Sequence, residues 1–224
     1  MSDYTRYAIY YLPPEGPLQR FGAEWLGWDV GRGAAVPQPD VTGIAEITAT
    51  PRKYGFHGTL KPPFRLAEGC GGDDLHAAVA AMVADQPPVW LDALVPSALG
   101  HFLALKPKGE TAALAAMAGR CVAELDAFRA PAPEAELARR RKAGLSARQE
   151  EMLLRWGYPY VFDDFRFHMT LSGRLPPDEL TRVLAEVEAR LPALPEPYVI
   201  DQVALAGERS DGMFELIHRY TFTG

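Results

Sequence analysis

The sequence predicts an α+β protein made of a duplicated strand-helix-strand-strand unit, giving two pseudo-two-fold lobes with antiparallel sheets around a central cleft. Two observations carry that prediction. The run Phe56-His57-Gly58-Thr59-Leu60 recurs as Phe167-His168-Met169-Thr170-Leu171, with the histidines 111 positions apart. Each copy is then followed by a Pro-marked turn, a helix with acidic residues in its first turn, and two strands. A chain of 224 residues, 48% of them hydrophobic, can bury a sizeable core. We expect one bilobal domain over 1–224: a first lobe to about residue 106, a helical connection over about 107–157, and a second lobe over about 158–224, with terminal strands able to cross between lobes.

The elements follow from composition and period. Tyr4 to Leu12 is rich in aromatic and β-branched residues and stops at Pro13-Pro14, which reads as a strand. Pro17 to Trp28 has the pattern of a short amphipathic helix, and 29–51, with several Gly and Pro and little periodicity, reads as a long irregular connection. The first motif strand is expected from Lys53 to Phe64. Gly72 to Ala84 has helical apolar spacing, with Asp73 and Asp74 placed to suit the helix dipole. Val89 to Val95 and His101 to Leu105 read as strands. The Ala-, Arg- and Glu-rich stretch from Glu110 to Trp156 predicts two or three helices, broken at Pro131-Ala132-Pro133 and near Gly144. Its run Arg139-Arg140-Arg141-Lys142 reads as a solvated helix face. The second motif strand is expected over about Phe165 to Ser172, then a helix from Pro176 to about Leu191. A closing hairpin, Tyr198 to Leu205 and Met213 to Phe222, turns at Asp211-Gly212.

Charge and composition exclude several classes. The net charge of −6 provides no global basic field for a long polyanion. A small phosphorylated ligand in a local basic site remains compatible. Met1-Ser2-Asp3-Tyr4 begins no signal-like run and no stretch has bilayer-spanning length, so a soluble cytoplasmic protein with no membrane partner is expected. Cys70 and Cys121 have no metal-like spacing and read as reduced thiols. Oligomeric state is not encoded legibly.

The repeated motif carries the chemistry. In a strand, His57 and Thr59 share one face, as do His168 and Thr170. Residues two apart are separated by about 6.6 Å, so each pair can grip different oxygens of one phosphate. Displacement at phosphorus wants a base on the entering side and an acid on the leaving side, and two imidazoles with ordinary pKa near 6.5 meet that need. Pseudo-symmetry lets either histidine take either role. The threonine hydroxyls would donate to non-bridging oxygens. Strand parity adds Lys53 and Lys61 to the first pair, and Arg166 and Ser172 to the second, as substrate-binding candidates. On the first strand the Tyr7/Ile9/Tyr11 face competes with the Arg6/Tyr10 face, and Tyr7 and Tyr11 are favoured for the cleft.

Other chemistries fit less well. Neither copy has a second histidine or carboxylate at ligand spacing, so no metal and no cofactor is expected. No phosphate-cradling Gly-rich loop and no Gly-x-Ser-x-Gly elbow is present. His76, His101 and His218 share no pattern and read as structural.

The paired His57-Gly58-Thr59-Leu60 and His168-Met169-Thr170-Leu171 resemble the twin His-x-Thr signatures of the two-histidine phosphoesterase superfamily. The longer stretches Tyr54 to Phe64 and Phe165 to Gly173 are similar to its bacterial branch associated with phosphonate metabolism. The resemblance implies a bilobal α+β fold and metal-free opening of a cyclic phosphodiester, such as a phosphoribosyl cyclic phosphate or a 2′,3′-cyclic nucleotide. The alternatives are a non-catalytic binder of phosphorylated ligands and an enzyme that processes RNA 2′,3′ ends.

Overall fold

In the computed structural model, which describes residues 4–224, the regular elements begin with β1 (Arg6–Tyr11), α1 (Pro17–Leu26), β2 (Trp28–Asp29), β3 (Ala34–Ala35), α2 (Ile44–Ile47), α3 (Ala49–Arg52) and β4 (Gly58–Phe64). Next come α4 (Gly72–Val83), β5 (Val89–Leu91), β6 (Ala93–Leu99), β7 (Phe102–Lys108), α5 (Ala112–Glu124), α6 (Glu134–Arg141) and α7 (Ala147–Trp156). The chain closes with β8 (Met169–Thr170), α8 (Pro177–Arg190), β9 (Tyr198–Ile200), β10 (Gln202–Glu208) and β11 (Phe214–Thr221). The expectation for Met1-Ser2-Asp3 lies outside the described residues. Among those described, no helix is long and apolar enough to cross a membrane.

Seven strands form one antiparallel sheet in the order β11-β10-β1-β4-β8-β7-β6. The α+β class and the antiparallel pairing expected from the repeat are both present. The two halves are continuous, joined where β4 meets β8 in a single pair, Gly58 with Met169. Those residues follow the two histidines and have the same 111-residue separation, so the repeat's own axis runs through the pair. The strands β5 and β9, equivalent in the two units, pair with each other in a separate ribbon. The closing hairpin β10-β11 adds to β1, whereas β6-β7 adds to β8.

The two faces of the sheet are covered differently. One packs against α1, α4, α5 and α8 in a large core that includes Tyr7, Ile9 and Tyr11 of β1, Leu60 of β4, Leu103 and Leu105 of β7, and Phe167, Met169 and Leu171. The other carries a smaller cluster with Ala8, Tyr10, Leu12, Ala204, Ala206 and Phe214. Each fully buried large apolar side chain in these layers contributes roughly 1.5–3 kcal/mol. The short alanines leave the second face shallow, and there the motif side chains emerge.

Both motif strands are shorter than the sequence suggested. Before β4 the chain runs through α3 and a turn in which Gly55 has φ 71° and sits against Val30, so Lys53 is at a helix end rather than on a strand. Around β8 the backbone N–H groups of Leu171 and Ser172 both donate to the carbonyl of Leu103, and a tight turn occupies Phe162–Asp164, leaving only Met169 and Thr170 in the ladder. The connection 29–51 is more ordered than expected: it holds β2, β3, α2 and α3, pinned by Arg52, which donates to the Leu26 carbonyl (2.8 Å) and to Gln38 (2.9 Å). The helical stretch breaks between α5 and α6 at Pro131-Ala132-Pro133 and between α6 and α7 at Gly144, as the sequence predicts. Its last helix opens with a Ser146/Gln149 capping box and ends at Gly157 with φ 73°.

Candidate active site

The antiparallel pairing of Gly58 with Met169 sets the geometry. One residue further along each strand, Thr59 lies across from His168; one residue back, His57 lies across from Thr170. All four project to the same face, because Phe56, Leu60, Phe167, Met169 and Leu171 are committed to the helix-covered core. Directly opposed side chains are about 5 Å apart and diagonal ones about 7–8 Å. The two imidazoles stand on that diagonal. Gly58 is a glycine for a packing reason: the Phe167 ring lies over it, and a Cβ there would overlap the ring.

Each histidine is held by the carbonyl two residues upstream. His57 Nδ1 is 2.9 Å from the Gly55 oxygen and His168 Nδ1 is 2.8 Å from the Arg166 oxygen. A carbonyl only accepts, so both Nδ1 atoms carry protons. His57 Nε2 is left with its lone pair, which accepts from the Thr59 hydroxyl at 3.0 Å. Burial pushes His57 down from 6.5 to about 4; the Gly55 carbonyl opposes that shift, and the nearby His168 adds to it. The wall that buries it is aromatic: the Tyr10 ring stacks at 3.8 Å between centroids, and Tyr54 stands 6.1 Å away. His168 has a counterpart in Phe102, whose ring centroid is 5.6 Å from its own.

A cavity of about 410 Å³ opens beside two of the four, Thr59 and His168, and is lined also by Phe102, Tyr158, Tyr160 and Arg166 among others. The helical connection forms one wall of it through Ala118 and Val122 of α5. Among the described residues no group of three or more His, Cys, Asp or Glu side chains converges on a point.

The flanking residues divide. Arg166 lines the cavity, its Nη1 donating to the Asp163 and Phe165 carbonyls at 2.7 Å each. Lys53 stands over the Tyr54 ring at 4.6 Å, one side chain removed from His57. Lys61, expected beside Thr59, is buried on the opposite face. A register shift between Ile9 and Tyr10 pairs Tyr10 with Thr59 but Ile9 with Lys61, so Lys61 joins the core face. Its Nζ donates to the Val122 carbonyl at 2.9 Å and lies 3.7 Å from Asp126, and burial lowers its pKa to about 8. Ser172 is also buried, accepting from Leu103 N and donating to the Gly173 carbonyl.

Tyr7 and Tyr11 point into the helix-covered core, where the Tyr11 hydroxyl meets that of Tyr198 at 2.6 Å. The face carrying Arg6 and Tyr10 is the one that reaches the site. The helices take the Tyr7/Ile9/Tyr11 face, where Ile9 joins their apolar side chains and the Tyr11 hydroxyl finds its partner in Tyr198. Sequence reasoning also missed Phe102, whose only signal is parity on β7, and gave Tyr158 and Tyr160 no role.

Residues 59–215 match the model of a family described as a protein of unknown function, DUF1045. The chain is 39% identical over 232 residues to a ribose 1,5-bisphosphate phosphokinase PhnN of Janthinobacterium sp. (strain Marseille), covering 98% of this chain and 51% of that one. It is 38% identical over 189 residues to the protein of that name from Laribacter hongkongensis, covering 82% and 44%. The chain thus spans about half the length of these relatives. Among solved structures, E. coli LigT complexed with 3′-AMP aligns over 99% of this chain and 100% of its own at 12% identity and a TM-score of 0.44. TT0787 of Thermus thermophilus aligns over 98% of both at 14% identity and a TM-score of 0.42. With more than half of its length matched by the family model, the chain belongs to the DUF1045 family.

Proposed function

We propose that this chain is a metal-independent two-histidine phosphoesterase that opens a small cyclic phosphodiester. The observation that carries the reading is the matched anchoring of His57 and His168, each Nδ1–H tied to a carbonyl two residues back, on adjacent strands with Thr170 and Thr59 opposite.

His57, kept neutral by burial, is the base. Its Nε2 takes a proton from a water as the water oxygen bonds to phosphorus. His168, in its protonated form, delivers a proton from Nε2 to the departing ring oxygen as the P–O bond breaks. The products are a phosphomonoester and a free hydroxyl, and proton exchange with solvent resets the pair. The Thr59 hydroxyl, resting on His57, turns to a non-bridging oxygen when substrate binds, and Thr170 donates to another.

The substrate is a small sugar phosphate. The relatives' name concerns ribose 1,5-bisphosphate, and this chain has no Gly-rich phosphate loop of the kind that serves kinases. We assign the kinase chemistry to the other half of those proteins and a cyclic phosphate of a related ribose phosphate to this one. The expected result is turnover by the wild type of phosphoribosyl cyclic phosphate, in preference to a 2′,3′-cyclic nucleotide or a cyclic-ended oligonucleotide, unaffected by chelator. His57→Ala and His168→Ala should each slow it about 10²- to 10⁴-fold with the fold intact. Binding of these compounds without turnover would overturn the enzyme reading in favour of a binding protein.

A further inference from the structure

We propose that a groove adjoining the catalytic cavity is a subsite for a second phosphate group on the substrate, held by Lys106 and Arg166. The proposal rests on the phosphodiesterase reading and extends it to residues outside the repeated motif.

The groove, about 880 Å³, shares Leu99, Phe162, Phe165 and Arg166 with the smaller cavity, so the two are continuous along one wall. Lys106 lines the groove. The ladder pairs Leu105 with Met169 and Ala104 with Thr170, so Lys106 on β7 falls across from His168. An anion held there is within one sugar of the reacting phosphorus.

Charge accounting within the groove singles out two cations. Glu124 and Asp163 line it, but Glu124 is paired with Arg120 at 2.7 Å and Asp163 with Arg148. Arg120 is itself held by Glu124 and Asp85. The start of α5 also reaches the groove at Thr111, yet the N–H groups of Thr111 and Ala112 are taken by the Glu110 carboxylate at 2.7 and 2.8 Å. Lys106 has no side-chain partner among the described residues. Arg166 donates from Nη1 to two backbone carbonyls, which orient its guanidinium and leave its charge uncompensated. Two unpaired cations facing a mostly apolar groove fit a dianionic phosphomonoester. Between the two compartments stands Phe162, the one non-glycine residue with positive φ (53°) among the described residues, braced by Trp156 at 5.3 Å. A backbone held in that conformation is stabilised by its surroundings, and here it sets the Phe162 side chain where the two compartments meet.

The test compares kcat/KM for a cyclic ribose phosphate bearing a 5-phosphate with that for the same cyclic ester lacking it. Lys106→Met and Arg166→Met should each lower that ratio roughly tenfold, and Lys106→Arg should restore most of it. Calorimetric titration with ribose 5-phosphate reads the subsite without turnover: affinity should fall in Lys106→Met and return in Lys106→Arg. An unchanged ratio and unchanged ribose 5-phosphate affinity in both Met variants would overturn the subsite. Absence of turnover by the wild type would overturn the catalytic reading instead, and the titration would still decide the subsite.

Discussion

The imidazole of His57 lies against the phenol of Tyr10, with ring centroids 3.8 Å apart and planes inclined by 31°. That contact removes water from one side of the ring, which disfavours the imidazolium. The acid limb of the activity profile should therefore fall near pH 4 rather than 6.5. Tyr10→Ala should move it upward, and histidine NMR titration of the two proteins measures the shift directly. An identical His57 titration in both would refute the role given to Tyr10.

The same depression links folding to pH. Between about 4 and 6.5 the unfolded chain binds a proton at His57 that the folded chain does not. This contribution to stability is whole above pH 6.5 and is lost as pH falls towards 4. His57→Gln should flatten the decline of the urea midpoint between pH 7 and pH 4 relative to wild type.

Thr59 and Thr170 are assigned as donors to the phosphoryl oxygens. Replacing either by Val keeps the shape and removes the donor, and should reduce kcat about 10²-fold. Thr59→Ser should recover most of the loss. Wild-type kcat in both Val variants would remove the threonines from the mechanism.

Gly58→Ala would drive a methyl group into the edge of the Phe167 ring. The expected cost is about 1–3 kcal/mol, from overpacking at the one pair that joins β4 to β8. Adding Phe167→Leu should return part of that stability. A double-mutant cycle in urea checks the coupling, and simple additivity would deny the contact.

Lys61→Met should change stability by no more than about 1.5 kcal/mol, because a side chain of similar volume replaces a buried charge with a desolvation cost of its own. Turnover should persist, since Lys61 faces α5 rather than the cavity. Loss of substrate affinity with normal stability would reinstate Lys61 as a ligand-binding residue.

Much of the architecture was legible because it depends on period and punctuation. The helices α4, α5 and α8 and the breaks at Pro131-Ala132-Pro133 and Gly144 are written in apolar spacing and in turn residues. The His/Thr quartet was legible because it is said twice. The neighbours were harder, since parity holds only while a strand stays regular: one register shift sent Lys61 to the core, and the turn at Gly55 took Lys53 off the strand. Tyr7 and Tyr11 were misplaced for a different reason. Both faces of β1 are buried, and which one meets helices is decided by distant partners such as Tyr198 and Leu75. Lys106 carries no local signal at all, because its position beside His168 comes from pairing between strands some sixty residues apart.

The join at Gly58 and Met169 also bears on how such a protein can diverge. In a symmetric pair of separate half-length chains, every inherited change would appear on both sides of the axis at once. With both copies on one chain, each can differ alone, and here they do: one imidazole lies against a tyrosine, while its twin lines the cavity with a lysine across the strand. The two sides of one joint are thereby free to become a front and a back.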